Sequence, residues 1–157
     1  MRFNAFRLRQ VSEARFLQQF KEKFGRPEET TVFLGDWSAN HTLRGQVPSK
    51  TKGFRKMFKS FGYDLYLVDE YRSSKLCFDC HEELEKNFHR RVSPKPWRHD
   101  IVTVHGLLRC QSDYCRRLWG NQLNYWNRDL NAVLNIQYIV EETRRTGERP
   151  LPFRRND

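Results

Sequence analysis

Two cysteine pairs, Cys77-Phe-Asp-Cys80 and Cys110-Gln-Ser-Asp-Tyr-Cys115, account for all four cysteines of the 157-residue chain. Two short loops that each present two thiolates can close a tetrahedral shell around zinc. The first pair has the standard spacing, and the second, with four intervening residues, stands at the wide edge of the usual range. His81, His89, His99 or His105 could replace one ligand, but four thiolates already suffice. The plain alternative is four buried free thiols, which the pairing disfavours. A redox role is disfavoured because no active-site helix start follows Cys77. A closed four-thiolate shell has no open coordination position, so the zinc expected here is structural.

Two carboxylates accompany the cysteines. Glu70 ends the apolar run in LVDEYRSSKLCFDC, and Asp129 lies in WNRDLNAVLNI. On spacing alone each also fits a solvated surface acid, and Asp129 also fits a partner for Arg128 or Arg116.

The elements that must position these groups follow from hydrophobic periodicity. Phe16, Phe20 and Phe24 recur every four residues, which predicts a helix with Ser12 as N-cap and a stop at Gly25 and Pro27. TTVFLGD reads as a short buried strand, and SANHTLRGQVPSKTKG as a loop broken by Gly45, Pro48 and Gly53. FRKMFKSFG is a second helix closing on Gly62, and YDLYLVDE a second strand. A strand–helix–strand crossover of this kind makes a parallel pair, so the fold class is α/β. HEELEKNFHRRVSPKPWRHD is charged and aperiodic, an exposed excursion, while IVTVHGLLRC reads as one or two strands feeding the second cysteine pair. A long helix is expected from Asn121 to about Thr143, with Trp126, Leu130, Val133, Leu134 and Ile136 to Ile139 on its apolar face. The tail from residue 144 to 157 shows no core pattern and is expected as a surface strap.

Composition bounds the partners. The chain is 38% hydrophobic and 14% aromatic, enough for a core. Its 29 Lys and Arg against 19 Asp and Glu give a formal charge of +10, a field that concentrates polyanions. No apolar stretch approaches the ~20 residues of a membrane span, and the first residues lack the apolar centre of a secretory signal. An intracellular location is expected, nuclear in a eukaryotic host, with no membrane partner. Two segments combine cations with aromatic rings, as strand-binding surfaces do. One carries Lys50, Lys52, Arg55, Lys56 and Lys59 with Phe54 and Phe58; the other carries Lys86, Arg90, Arg91, Lys95 and Arg98 with Phe88 and Trp97. A solvated loop and an ordinary amphipathic helix explain either segment singly about as well.

VFLGDWS, VDEYRSSKLCFDC, LRCQSDYC and WNRDLNAVLNI, in that order, resemble the C-terminal half of Fanzor proteins, eukaryotic and viral relatives of the transposon-encoded TnpB nucleases. The resemblance spans Ser12 to Ile139. It implies an RNA-guided DNA endonuclease ancestry, with a RuvC-type domain of RNase H-like fold, a magnesium site of three acids, and a zinc insert between the last strand and last helix. Asp129 matches the last-helix aspartate. Gly35 stands where bacterial relatives carry the central glutamate, and Glu70 matches the displaced glutamate of Fanzor-like members. Adjacent parallel strands lie about 4.8 Å apart, so acids at neighbouring strand ends can serve one metal.

The expected architecture is a partial RNase H-like α/β fold over residues 1–76 and 119–143, with a short parallel sheet flanked by helices. A zinc-ribbon-like four-cysteine insert over 77–118 and a tail over 144–157 complete it. The family's first aspartate lies on a strand upstream of everything matched here, so a truncated or split relative is expected. The catalytic and magnesium candidates are Glu70 and Asp129, and an in-line displacement needs more than that pair. The leading expectation is a zinc-containing DNA- or RNA-binding module that does not cleave alone. The alternatives are an endonuclease completed by a polypeptide supplying the missing strands, and a domesticated protein-interaction module.

Overall fold

The computed structural model describes residues 2–36, 51–120, 122 and 124–155. The chain divides into two compact units, Met1–Asp69 and Glu70–Asp157.

The first unit runs α1 (Arg2–Phe24), β1 (Thr31–Gly35), α2 (Thr51–Ser60) and β2 (Asp64–Val68). The strands pair in parallel with Thr31 opposite Asp64 and Gly35 opposite Val68, as the crossover predicts. Leu17, Val32, Met57, Phe58 and Tyr63 form its core, with Phe20, Leu34 and Leu65 packed against them. The helix α1 begins ten residues before Ser12, so that serine lies inside it and caps nothing. The preceding residues, rich in Arg, Gln, Leu and Ala, favour helix and contain no breaker. Its stop is as expected: Gly25 takes φ 102°, a left-handed conformation natural to glycine. The expected loop ends before Thr51, because α2 absorbs residues 51–53; residues 38–50 of that loop lie outside the described residues.

The second unit contains β3 (Arg90–Val92), β4 (Ile101–Thr103), β5 (Leu107–Cys110), α3 (Asp113–Leu118), β6 (Asn124–Asn127) and α4 (Arg128–Thr146). The exposed excursion is not structureless, for β3 and β4 pair antiparallel within it. Two strands do feed the second cysteine pair, β4 and β5. The long helix starts at Arg128 rather than Asn121, because Asn124–Asn127 extend as β6 against β5. Asn127 then caps α4, its side-chain oxygen accepting from the Asp129 and Leu130 amides. Residues 121 and 123 lie outside the described residues.

The buried stripe of α4 also differs from the apolar face expected. Leu130 and Val133 are exposed, whereas Asn131, Asn135 and Ile139 are buried, at the i, i+4 and i+8 spacing of one helical face. The tail is more than a strap. Phe153, on a 3-10 turn (Leu151–Phe153), is fully buried, and its ring meets those of His81 and Tyr138.

Candidate metal centre

The first cysteine loop is a tight turn. The His81 amide donates to the Cys77 carbonyl (2.8 Å), and His81 itself takes φ 59°. The Cys77 amide donates to the Glu82 carbonyl (2.8 Å), closing the turn from the other side. The second pair is shaped differently: Cys110 ends β5, and Cys115 lies in the first turn of α3, whose N-cap is Ser112. The four extra-loop residues therefore build a helix start rather than a second copy of the turn, which explains the wide spacing.

Side chains behind the ligands tie these two pieces together. Asp79, inside the first loop, accepts from Trp119 Nε1 (3.1 Å) and Asn124 Nδ2 (2.9 Å). Ser112 Oγ donates to the Glu82 carboxylate (3.1 Å). Contacts of this kind orient metal ligands before the metal arrives.

All four sulfurs lie within 4.8 Å of one another, with Cys77 to Cys115 at 3.8 Å and Cys80 to Cys110 at 3.6 Å. Sulfurs around tetrahedral zinc, each at about 2.3 Å from it, stand about 3.8 Å apart. A disulfide would bring a pair to about 2.05 Å, and all four cysteines are free. Electrostatics make the same demand. Burial, the largest influence, pushes Cys110 up to about 12, with the neighbouring Cys77 adding to the rise. Burial and the surrounding thiols raise Cys115 too. At Cys80 burial acts upward but is outweighed by the Glu82 backbone amide and neighbouring groups, leaving it below the ordinary thiol value. Such a cluster cannot hold four thiolates by itself; a bound cation stabilises them. The cluster could therefore hold a metal ion such as zinc. His81 takes no part, since its ring packs against Tyr138 and Phe153, and burial lowers its pKa.

Glu70 and Asp129 are both exposed, and both belong to the second unit. The Glu70 carbonyl accepts from the amide and hydroxyl of Ser73, opening the turn that leads to Cys77. Asp129 sits in the first turn of α4, where a carboxylate complements the helix dipole. What joins the two elements is a pair of residues the sequence reading passed over. The Asn135 amide nitrogen donates to the Ser73 and Leu76 carbonyls, each at 2.8 Å. Asn131 donates to the same two carbonyls and accepts from the Phe78 amide (3.1 Å). The visible signal was two asparagines four residues apart on a helix. Among the described residues, the four cysteines are the only group of three or more potential metal ligands gathered together.

The basic candidates divide into engaged and open. Lys50 lies outside the described residues, and Lys52, Lys56 and Lys59 are exposed on α2. Arg55 is taken up at the strand end, donating to Asp36 Oδ1 (2.9 Å) and facing the Gly35 carbonyl. Phe58, expected as a stacking ring, is instead 4% exposed in the core against Phe16, Phe20 and Tyr63. Arg90 and Arg91 are exposed on β3, and Lys86, Lys95 and Arg98 are exposed around the hairpin. Lys95 Nζ stands 6.0 Å from the ring of Trp97, which is open to solvent, while Arg98 pairs with Asp100. Phe88 is covered, lying between the Arg109 guanidinium (4.6 Å) and Tyr125 (5.7 Å, nearly parallel).

No helix among the described residues is long and apolar enough to cross a membrane. Comparison with protein-family models and with curated proteins finds no match in either.

Proposed function

We propose that the chain is a transposon-derived nucleic-acid-binding protein, ordered by one structural zinc and akin to the RuvC and zinc-binding part of Fanzor and TnpB nucleases. The observation that carries this reading is the four-sulfur cluster at tetrahedral spacing, followed in sequence by the helix that bears Asp129. The parallel β1–β2 pair with its α2 crossover supports it, as does the +10 charge. In this reading Cys77, Cys80, Cys110 and Cys115 hold zinc, while Lys86, Arg90, Arg91 and Lys95 contact phosphates. Glu70 and Asp129 are the two magnesium carboxylates this chain supplies, held in register by Asn131 and Asn135. Two acids leave weak magnesium affinity and no productive in-line displacement.

The test is binding of labelled DNA and RNA across a salt series, with a cleavage assay in magnesium alongside. Affinity should fall steeply with salt, because phosphate contacts release counterions. No cleavage by this chain is expected. Affinity indifferent to salt, or no binding of either polymer, removes the reading; cleavage abolished by Glu70→Ala keeps the site and overturns its inactivity.

A second reading rests on the exposed Leu130 and Val133 of α4, which stand beside Asp129 and face no apolar neighbour among the buried core. A polypeptide partner covering that face, whether it supplies a third acid or only a docking surface, would account for them.

A further inference from the structure

The residues Lys86, Asn87, His105 and Arg128, far apart in sequence, line one cleft of about 170 Å³ with Ser74 and Leu108. Its construction is traceable. Glu85 exchanges both backbone hydrogen bonds with Arg109 (2.9 and 3.1 Å), and Arg109 Nε also donates to the Glu85 carboxylate (2.7 Å). That fixes where Lys86 and Asn87 leave β5. Asn87 turns back with φ 58°, a left-handed conformation asparagine tolerates. His105 Nδ1 donates to Asn87 Oδ1 (3.0 Å), which holds the imidazole as a wall. The Arg128 amide donates to the Gly106 carbonyl (2.9 Å), so the first residue of α4 is pinned to the turn before β5.

Two cations thus meet in a concave site whose floor is the buried Leu108. Neither Lys86 nor Arg128 makes an ion pair among the described residues; Lys86 acts on Glu83 only through space. Five other arginines of this unit, Arg98, Arg109, Arg116, Arg145 and Arg154, each pair with a carboxylate. Cations converging on a polar cleft without an acid partner suit an oxyanion.

We infer that this cleft binds a backbone phosphate of a nucleic-acid strand. The inference rests on the nucleic-acid reading above and assigns it a specific subsite, of which the sequence supplied only Lys86. The strand's phosphate oxygens accept from Lys86 Nζ and the Arg128 guanidinium.

The full chain, purified without chelator, is titrated with fluorescent oligo(dT) and oligo(U) over a salt series. The parent is compared with the double variant Lys86→Gln, Arg128→Gln; zinc content and thermal midpoint report whether the variant folds. The double variant should bind about tenfold more weakly at moderate salt, with the slope of log affinity against log salt shallower by about 1.4, two single-strand phosphate contacts. A parent that binds and a folded double variant that binds equally well overturns the cleft and leaves the broader reading standing. A parent that binds neither strand overturns both.

Discussion

Asn135 satisfies two carbonyls with one amide nitrogen, and Asn131 satisfies the same two while accepting from a third group. The turn from Glu70 to Cys77 has no sheet to receive the Ser73 and Leu76 carbonyls, so a helix must present donors where apolar side chains would ordinarily lie. Truncating both, Asn131→Ala with Asn135→Ala, should therefore cost about 1–3 kcal/mol, the penalty of leaving buried acceptors unpaired, since either asparagine alone still donates to both carbonyls. Chemical denaturation followed by far-ultraviolet circular dichroism checks this; an unchanged midpoint would mean the ladder contributes nothing. The four cysteines should behave differently, because loss of one would remove the proposed zinc from the fold. Cys77→Ser and Cys110→Ser should each lower bound zinc, measured by atomic emission on freshly purified protein, and lower stability with it. Sequence and structure agree best at these cysteines, whose type and spacing report their chemistry directly. They agree least at the asparagines, because hydropathy assigns Leu130 and Val133 to the inside and has no means of seeing which carbonyls await a donor.

Among the elements, those of the first unit were readable from the sequence because local signals agreed. Gly25 and Gly62 end the helices, apolar runs mark β1 and β2, and the crossover dictates parallel pairing. The start of α4 was misplaced because Asn121 to Asn127 carries no helix breaker, and the competing partner, β5, lies distant in sequence until the cysteines bring it close. The cap decides the boundary. Replacing Asn127→Ala removes an acceptor for two amides and should cost about 1 kcal/mol. The same change inside a helix running from Asn121 would slightly stabilise it, since alanine is the better helix former. Thermal melting of the variant separates the two by sign. At the other end Gly147 takes φ 78° and its amide caps the Thr143 carbonyl, so Gly147→Ala should cost about 1 kcal/mol as well.

At the scale of the whole molecule, each unit has its own buried cluster, but the two are of different kinds. Leu17, Val32, Met57, Phe58 and Tyr63 form a conventional apolar core in Met1–Asp69, whereas in Glu70–Asp157 the cluster is three buried cysteines with Leu84 and Leu108, and Cys80 and Trp126 packed against it. A cluster with so few apolar side chains buries little surface, and small modules of this kind depend on a metal. Removing the metal with a strong chelator should thus abolish hydrogen-exchange protection across residues 70–155 while β1 and β2 retain theirs. Uniform loss, or none, would contradict that division. Binding of nucleic acid, proposed for surfaces of the second unit, should disappear with the metal. All of this rests on one claim, that four thiolates enclose one zinc. X-ray absorption at the zinc edge of protein purified without chelator tests it most directly. The account predicts one zinc per chain, surrounded by four sulfurs at about 2.3 Å with no nitrogen or oxygen ligand. Protein that is folded and free of metal, or a zinc shell containing light-atom ligands in place of a cysteine, would contradict it.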